Sequence, residues 1–147
     1  MPSVNRERTG AMTLRSSVGA LRYHEGPKLN VEVDPEIVRL ARALVPKATR
    51  LNHTRYAPHI TVVRNEDVPK PELWGRHEGL FVEFEYEPHV YNDDTYYWLR
   101  VWSPVLGQIR TELGLPESSH WTRAPDGFES FHVTIGNTKA AVSPGSK

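Results

Sequence analysis

Two stretches of the chain, His59-Ile60-Thr61-Val62 and His132-Val133-Thr134-Ile135, combine side chains that move protons with side chains that hold anions. An imidazole has an ordinary pKa near 6.5, so one copy can be neutral and accept a proton while the other is charged and donates one. A threonine hydroxyl two residues further on can hydrogen-bond a phosphoryl oxygen where negative charge builds up. In an extended strand, residues two apart share a face at a separation of roughly 6–7 Å. His59 and Thr61 therefore project one way and Ile60 and Val62 the other; likewise His132 and Thr134 oppose Phe131, Val133 and Ile135. Gly136, next on the polar face, leaves room there for a ligand or another backbone to approach. Two such pairs meeting at one phosphorus would supply a base, an acid and two oxyanion donors, the groups that in-line cleavage of a phosphodiester needs.

A third His-x-Thr, His120-Trp121-Thr122, leads into the turn sequence RAPDG and lacks the apolar residue after Thr, so it reads as a loop coincidence, though a loop near the cleft can still touch substrate. Around the two main motifs, Arg55, Tyr56, Lys139 and Trp121 are candidate substrate contacts, the aromatic rings as stacking platforms and the cations as phosphate ligands. Tyr91, Tyr96, Trp98 and Trp102 are open to either a core or a stacking role. Arg100 is open to either phosphate binding or surface stacking. The histidines at 24, 53, 77, 89 and 120 fit no compact zinc spacing, so neither a metal nor any other cofactor is expected.

The elements that must position these groups follow from pattern. Leu29, Val31 and Val33 alternate with Asn30 and Glu32 as a half-buried strand. Asp34 caps a helix that starts at Pro35, carries Ile37, Leu40, Ala41 and Leu44 on one stripe and stops before Pro46. Residues 80–88 alternate Val82, Phe84 and Tyr86 with Glu83, Glu85 and Glu87, which reads as one buried and one wet face. The strand TYYWLRVW precedes a second helix with Ser103 as cap, Pro104 first, Val105, Leu106, Ile109 and Leu113 as its apolar set, and Gly114 as the stop. Each half of the chain thus runs strand, Pro-started helix, loop, His-x-Thr strand. That order predicts an α+β fold of two pseudo-twofold-related lobes of antiparallel strands, with packed helices, around a central cleft. Residues 1–27 read as a poorly defined N-terminal arm with a short strand near VGALRY, 28–139 as a single bilobal domain, and 140–147 as a flexible tail.

With 147 residues, 18 basic and 18 acidic side chains and no cysteine, the chain suits one domain without disulfides, thiolate metal sites or a Cys nucleophile. Zero net charge argues against a duplex-binding surface and leaves open a small or single-stranded anionic partner, such as a nucleotide or oligoribonucleotide. No apolar run reaches membrane-spanning length, so no membrane association is expected and the expected location is cytoplasmic. Composition leaves the oligomeric state open.

The tetrapeptides HITV and HVTI resemble the paired signatures (His, apolar, Thr or Ser, apolar) of the two-histidine, or 2H, phosphoesterase superfamily, over about residues 28 to 138. That superfamily includes RNA 2′,3′-cyclic phosphodiesterases, the so-called 2′-5′ RNA ligases and viral enzymes that destroy 2′-5′-linked or cyclic oligonucleotide signals. The resemblance implies a bilobal fold, a metal-independent phosphodiesterase, His59 and His132 as acid and base in unassigned order, and Thr61 and Thr134 as phosphate holders. A non-catalytic module that binds a nucleotide in the same pocket is the alternative outside enzymology.

Overall fold

The computed structural model describes residues 13–139, so the expected tail at 140–147 and the first twelve residues of the expected arm lie outside the described residues. Seven strands and two helices follow in the order β1 (Arg15–His24), β2 (Lys28–Glu32), α1 (Pro35–Arg42), β3 (His59–Arg64), β4 (Phe81–Tyr86), β5 (Tyr91–Asn92), β6 (Tyr96–Trp102), α2 (Pro104–Glu112) and β7 (Phe131–Asn137). All pairings are antiparallel, in the order β4-β1-β2-β3-β7-β6-β5, and β4 also pairs with β6. That last pairing closes six strands into a barrel, with β5 as a flange on β6.

The expected bilobal α+β fold is therefore incorrect: the described residues form a closed, mostly β barrel with only two α-helices. The two halves share one continuous hydrogen-bonded sheet because β3 of the first pairs with β7 of the second and β4 with β6. Closure also depends on β1, which falls where a loose arm was expected. Its small residues Ser16, Ser17, Gly19 and Ala20 hide any alternation, and Gly19 allows close approach to β2. A Cβ on Gly19 would lie 2.4 Å from the Glu32 carbonyl oxygen. Sandwiched between β2 and β4, β1 leaves the barrel with no open edge among these six strands.

Both helix starts follow the expected grammar. The Asp34 carboxylate accepts the Glu36 N–H at 2.9 Å, and the Ser103 hydroxyl accepts the Leu106 N–H while donating to the Glu83 carbonyl. The α1 stripe differs from expectation. Leu40 and Leu44 are 54% and 61% exposed, while Val38 and Val45 join Ile37 and Ala41 in the core. The helix ends at Arg42, which puts Leu44 in the turn beyond it. On α2, Leu106, Ile109 and Leu113 pack inward as expected, whereas Val105 is exposed. The acidic side of β4 is also only partly wet: Glu83 is exposed, but Glu87 is buried and accepts the Tyr91 hydroxyl at 2.6 Å.

A fully buried Arg110 on α2 is the polar centre of the core. It donates to the Val62 carbonyl at 2.8 Å, to the Pro116 carbonyl at 2.7 Å and through both terminal nitrogens to Glu66 at 2.8 and 2.9 Å. Burial pushes the Glu66 carboxyl up, but hydrogen bonds and charge from Arg110, with the Arg64 N–H, outweigh it and leave the group below its ordinary value. A carboxylate so lowered stabilises the fold above its unfolded pKa, and that contribution is lost as pH falls through the folded value. Removing one partner strands a buried charge. Glu66→Ala is expected to cost about 3–5 kcal/mol in chemical denaturation at pH 7, with a smaller penalty at acid pH; a loss below about 1 kcal/mol would contradict this role for the pair.

Candidate active site

The two motif strands are neighbours. Ile60 on β3 sits opposite Val133 on β7, and continuing that antiparallel register sets His59 beside Thr134 and Thr61 beside His132. Directly opposed residues stand about 4.5–5.5 Å apart at Cβ and diagonal ones about 7–8 Å, so the two histidines form the diagonal of a compact square. Burial alternates as the residue types require, with Ile60, Val62, Val133 and Ile135 in the core and the His and Thr side chains half-buried on the other face. All four line one cavity of about 770 Å³. The motifs thus converge on one space, but from adjacent strands of one barrel and not from opposite lobes.

Each imidazole is oriented by a backbone carbonyl. Nδ1 of His59 lies 2.9 Å from the Ala57 oxygen and Nδ1 of His132 lies 3.3 Å from the Thr122 oxygen. A carbonyl only accepts, so Nδ1–H is the donor in both rings, and Nε2 is left to take up or release a proton. Burial first, and then the neighbouring His59, lower the His132 pKa to about 4, against the opposing pull of the Thr122 carbonyl and Asp126. At neutral pH His132 is therefore uncharged and a proton acceptor.

The carbonyl that orients His132 belongs to the loop between α2 and β7, and that loop is fastened from β6. Arg100 is opposite His132 in the β6–β7 register. Its guanidinium is stacked 3.8 Å from the Tyr91 ring centroid and 3.6 Å from that of Phe128, and it pairs with Asp126 at 3.2 Å. Of the two roles open to Arg100 in the sequence, the structure shows stacking, and it does not line the cavity. The third His-x-Thr serves the site from this loop without forming a strand: the buried Thr122 gives its carbonyl to His132 and Trp121 lines the cavity.

Two β-bulges shape the cavity wall. Between β2 and β3 the register passes from Leu29↔Val63 to Asn30↔Thr61, so Val62 is an extra residue. Between β6 and β7 it passes from Tyr97↔Gly136 to Trp98↔Thr134, so Ile135 is extra. An inserted residue reverses the alternation beyond it. Arg64 and Asn137, each three positions after its motif threonine, consequently line the cavity, where an unbulged strand would turn them to the core. Each bulge is held by an arginine from the helix of the other half. Arg110 of α2 donates to the Val62 carbonyl, and Arg42 of α1 donates to the Ile135 carbonyl, both at 2.8 Å. Gly136 makes room for this packing and not for a ligand, because an added Cβ would lie 2.5 Å from the Asn52 carbonyl oxygen and 2.7 Å from the Arg42 guanidinium.

Of the expected substrate contacts, Arg55, Tyr56 and Trp121 line the cavity. Lys139 does not, though its ammonium lies 5.1 Å from the ring centroid of Tyr96, which does. Trp98 is wholly buried and so belongs to the core. Lys28, Asn30 and Glu32 also face the cavity. Their shared strand face was visible in the alternation of KLNVE, but nothing local linked it to the motifs. Among the described residues no three His, Asp or Glu side chains group as a metal site, and no helix is long and apolar enough to cross a membrane. Comparison with family models, curated proteins and solved structures gives no match.

The packing around His132 has a direct spectroscopic consequence. Imidazole titration by NMR is expected to give His132 a midpoint near 4, and His59→Ala is expected to raise it by removing a neighbouring positive charge. A midpoint at the ordinary histidine value, about 6.5, would contradict the neutral ring.

Proposed function

We propose that this chain is a metal-independent phosphodiesterase, a hydrolase of the type its two motifs resemble. It acts on a ribonucleotide whose 2′ position takes part in the bond: a 2′,3′-cyclic phosphate, a 2′-5′ linkage or a cyclic oligonucleotide. The observation that carries the proposal is the shared face of β3 and β7, where both histidines and both threonines line one cavity. The cytoplasm, where such ribonucleotides occur, is the matching location.

The neutral His132 is the base. Its Nε2 takes the proton of a water or ribose hydroxyl as that oxygen bonds to phosphorus. His59, protonated, is the acid, giving its proton to the ribose oxygen that leaves as the opposite P–O bond breaks. Thr61 and Thr134 donate hydrogen bonds to the non-bridging oxygens, where charge concentrates in the transition state. The carbonyls of Ala57 and Thr122 favour each ring's correct orientation through the cycle.

The test is product formation in EDTA from a panel of 2′,3′-cyclic mononucleotides, 2′-5′ oligoadenylates and cyclic dinucleotides. His59→Ala and His132→Ala are each expected to lower turnover by about 10²–10⁴-fold with unchanged circular dichroism. The acid limb of kcat/KM is expected near pH 4, where His132 gains its proton. Full turnover in either alanine variant refutes the assignment.

A further inference from the structure

The Val62 bulge brings Arg64 to the cavity face directly opposite Lys28 on β2, in a Lys28↔Arg64 cross-strand pair. Like charges in directly opposed positions are unfavourable, and neighbouring strands ordinarily avoid them. Among the described residues neither cation makes an ion pair. Each is instead set over an aromatic ring at the cavity rim, Lys28 5.5 Å from the Tyr56 centroid and Arg64 5.9 Å from that of Trp121. Of the carboxylates lining the same cavity, Glu32 is held by Arg22 at 3.2 Å, and Glu25 pairs with neither cation. The bulge that creates this juxtaposition is itself held by the buried Arg110, so the two positive charges are brought together by the core.

We propose that Lys28 and Arg64 form a subsite for a second, non-reacting phosphate of the substrate. This rests on the hydrolase reading and narrows it: the preferred substrate carries at least two phosphates, as an oligonucleotide or cyclic dinucleotide does and a 2′,3′-cyclic mononucleotide does not. Arg64 is three residues beyond Thr61, about 10 Å of strand, on the same wall as the phosphate-holding threonine. An anion between the two cations relieves their repulsion, and the exposed rings of Tyr56 and Trp121 flank the position for the attached bases.

Binding separates this subsite from catalysis. The full chain carrying His59→Gln, which prevents turnover, is titrated calorimetrically with 2′-5′-linked ApA and with the same dinucleotide bearing a terminal phosphate at its 5′ or its 3′ end. One terminal phosphate is expected to tighten binding about tenfold, as a charge-assisted contact does, and the gain is expected to shrink as salt rises. Adding Lys28→Met and Arg64→Met is expected to abolish the gain while leaving affinity for unphosphorylated ApA within about twofold, which also shows that the variant is folded. A gain that persists in the double variant, or no gain from a phosphate at either end, overturns the subsite. Cleavage of ApA or of its terminally phosphorylated forms by the unsubstituted chain reports separately on the hydrolase. Cleavage without a phosphate-dependent gain leaves the hydrolase standing and the subsite refuted; a gain without cleavage does the reverse.

Discussion

The single pairing of β3 with β7 governs everything chemical in this molecule. Because Ile60 meets Val133 and the side-chain period of a strand is two, the apolar partners go into the core and the four polar ones stand on a common face. A slip of one residue between these strands would reverse one set and bury one histidine and one threonine in hydrocarbon. The barrel makes such a slip costly. β3 is also registered against β2, β7 against β6, and the circuit closes through β1 and β4.

A second layer of control comes from the helices. Each half of the chain carries an arginine in the last turn of its Pro-started helix, and each of these, Arg42 and Arg110, crosses to hold the bulged carbonyl on the other half's motif strand. This exchange explains how a repeated order of elements yields one barrel. The halves do not fold into separate lobes because each supplies the clamp that the other's strand requires. The clamps differ in environment: Arg110 is fully buried and neutralised by Glu66, whereas Arg42 uses carbonyls of Leu51, Asn52 and Ile135. Their shared effect is on the cavity wall, where the bulges turn Arg64 and Asn137 toward the space that the histidines line.

Much of this was legible in the sequence at short range. The His-x-Thr strands, both capped helix starts and the inward faces of β2 and β4 follow from period and capping chemistry, which are local properties. What was not legible is non-local. The small residues of β1 carry no alternation, and Gly19 among them serves close approach to β2, so the strand that closes the barrel looks like an arm. A bulge leaves no mark in a run such as Ile60-Thr61-Val62-Val63, since the extra residue is as apolar as its neighbours. Arg110 occupies an apolar stripe only because Glu66, 44 positions away in sequence, meets it there. Thr122 serves through its backbone oxygen, and no side-chain pattern announces that.

The central claim is that His59 and His132 address one phosphoryl group. It is tested most directly by following both imidazole side chains in ¹⁵N-edited NMR spectra while the unsubstituted chain is titrated with a uridine–vanadate complex, a mimic of the five-coordinate transition state. Convergence on one phosphorus predicts that both rings shift together, with one stoichiometric ligand and a single dissociation constant. Shifts confined to one ring, or two rings responding with different constants, would contradict it.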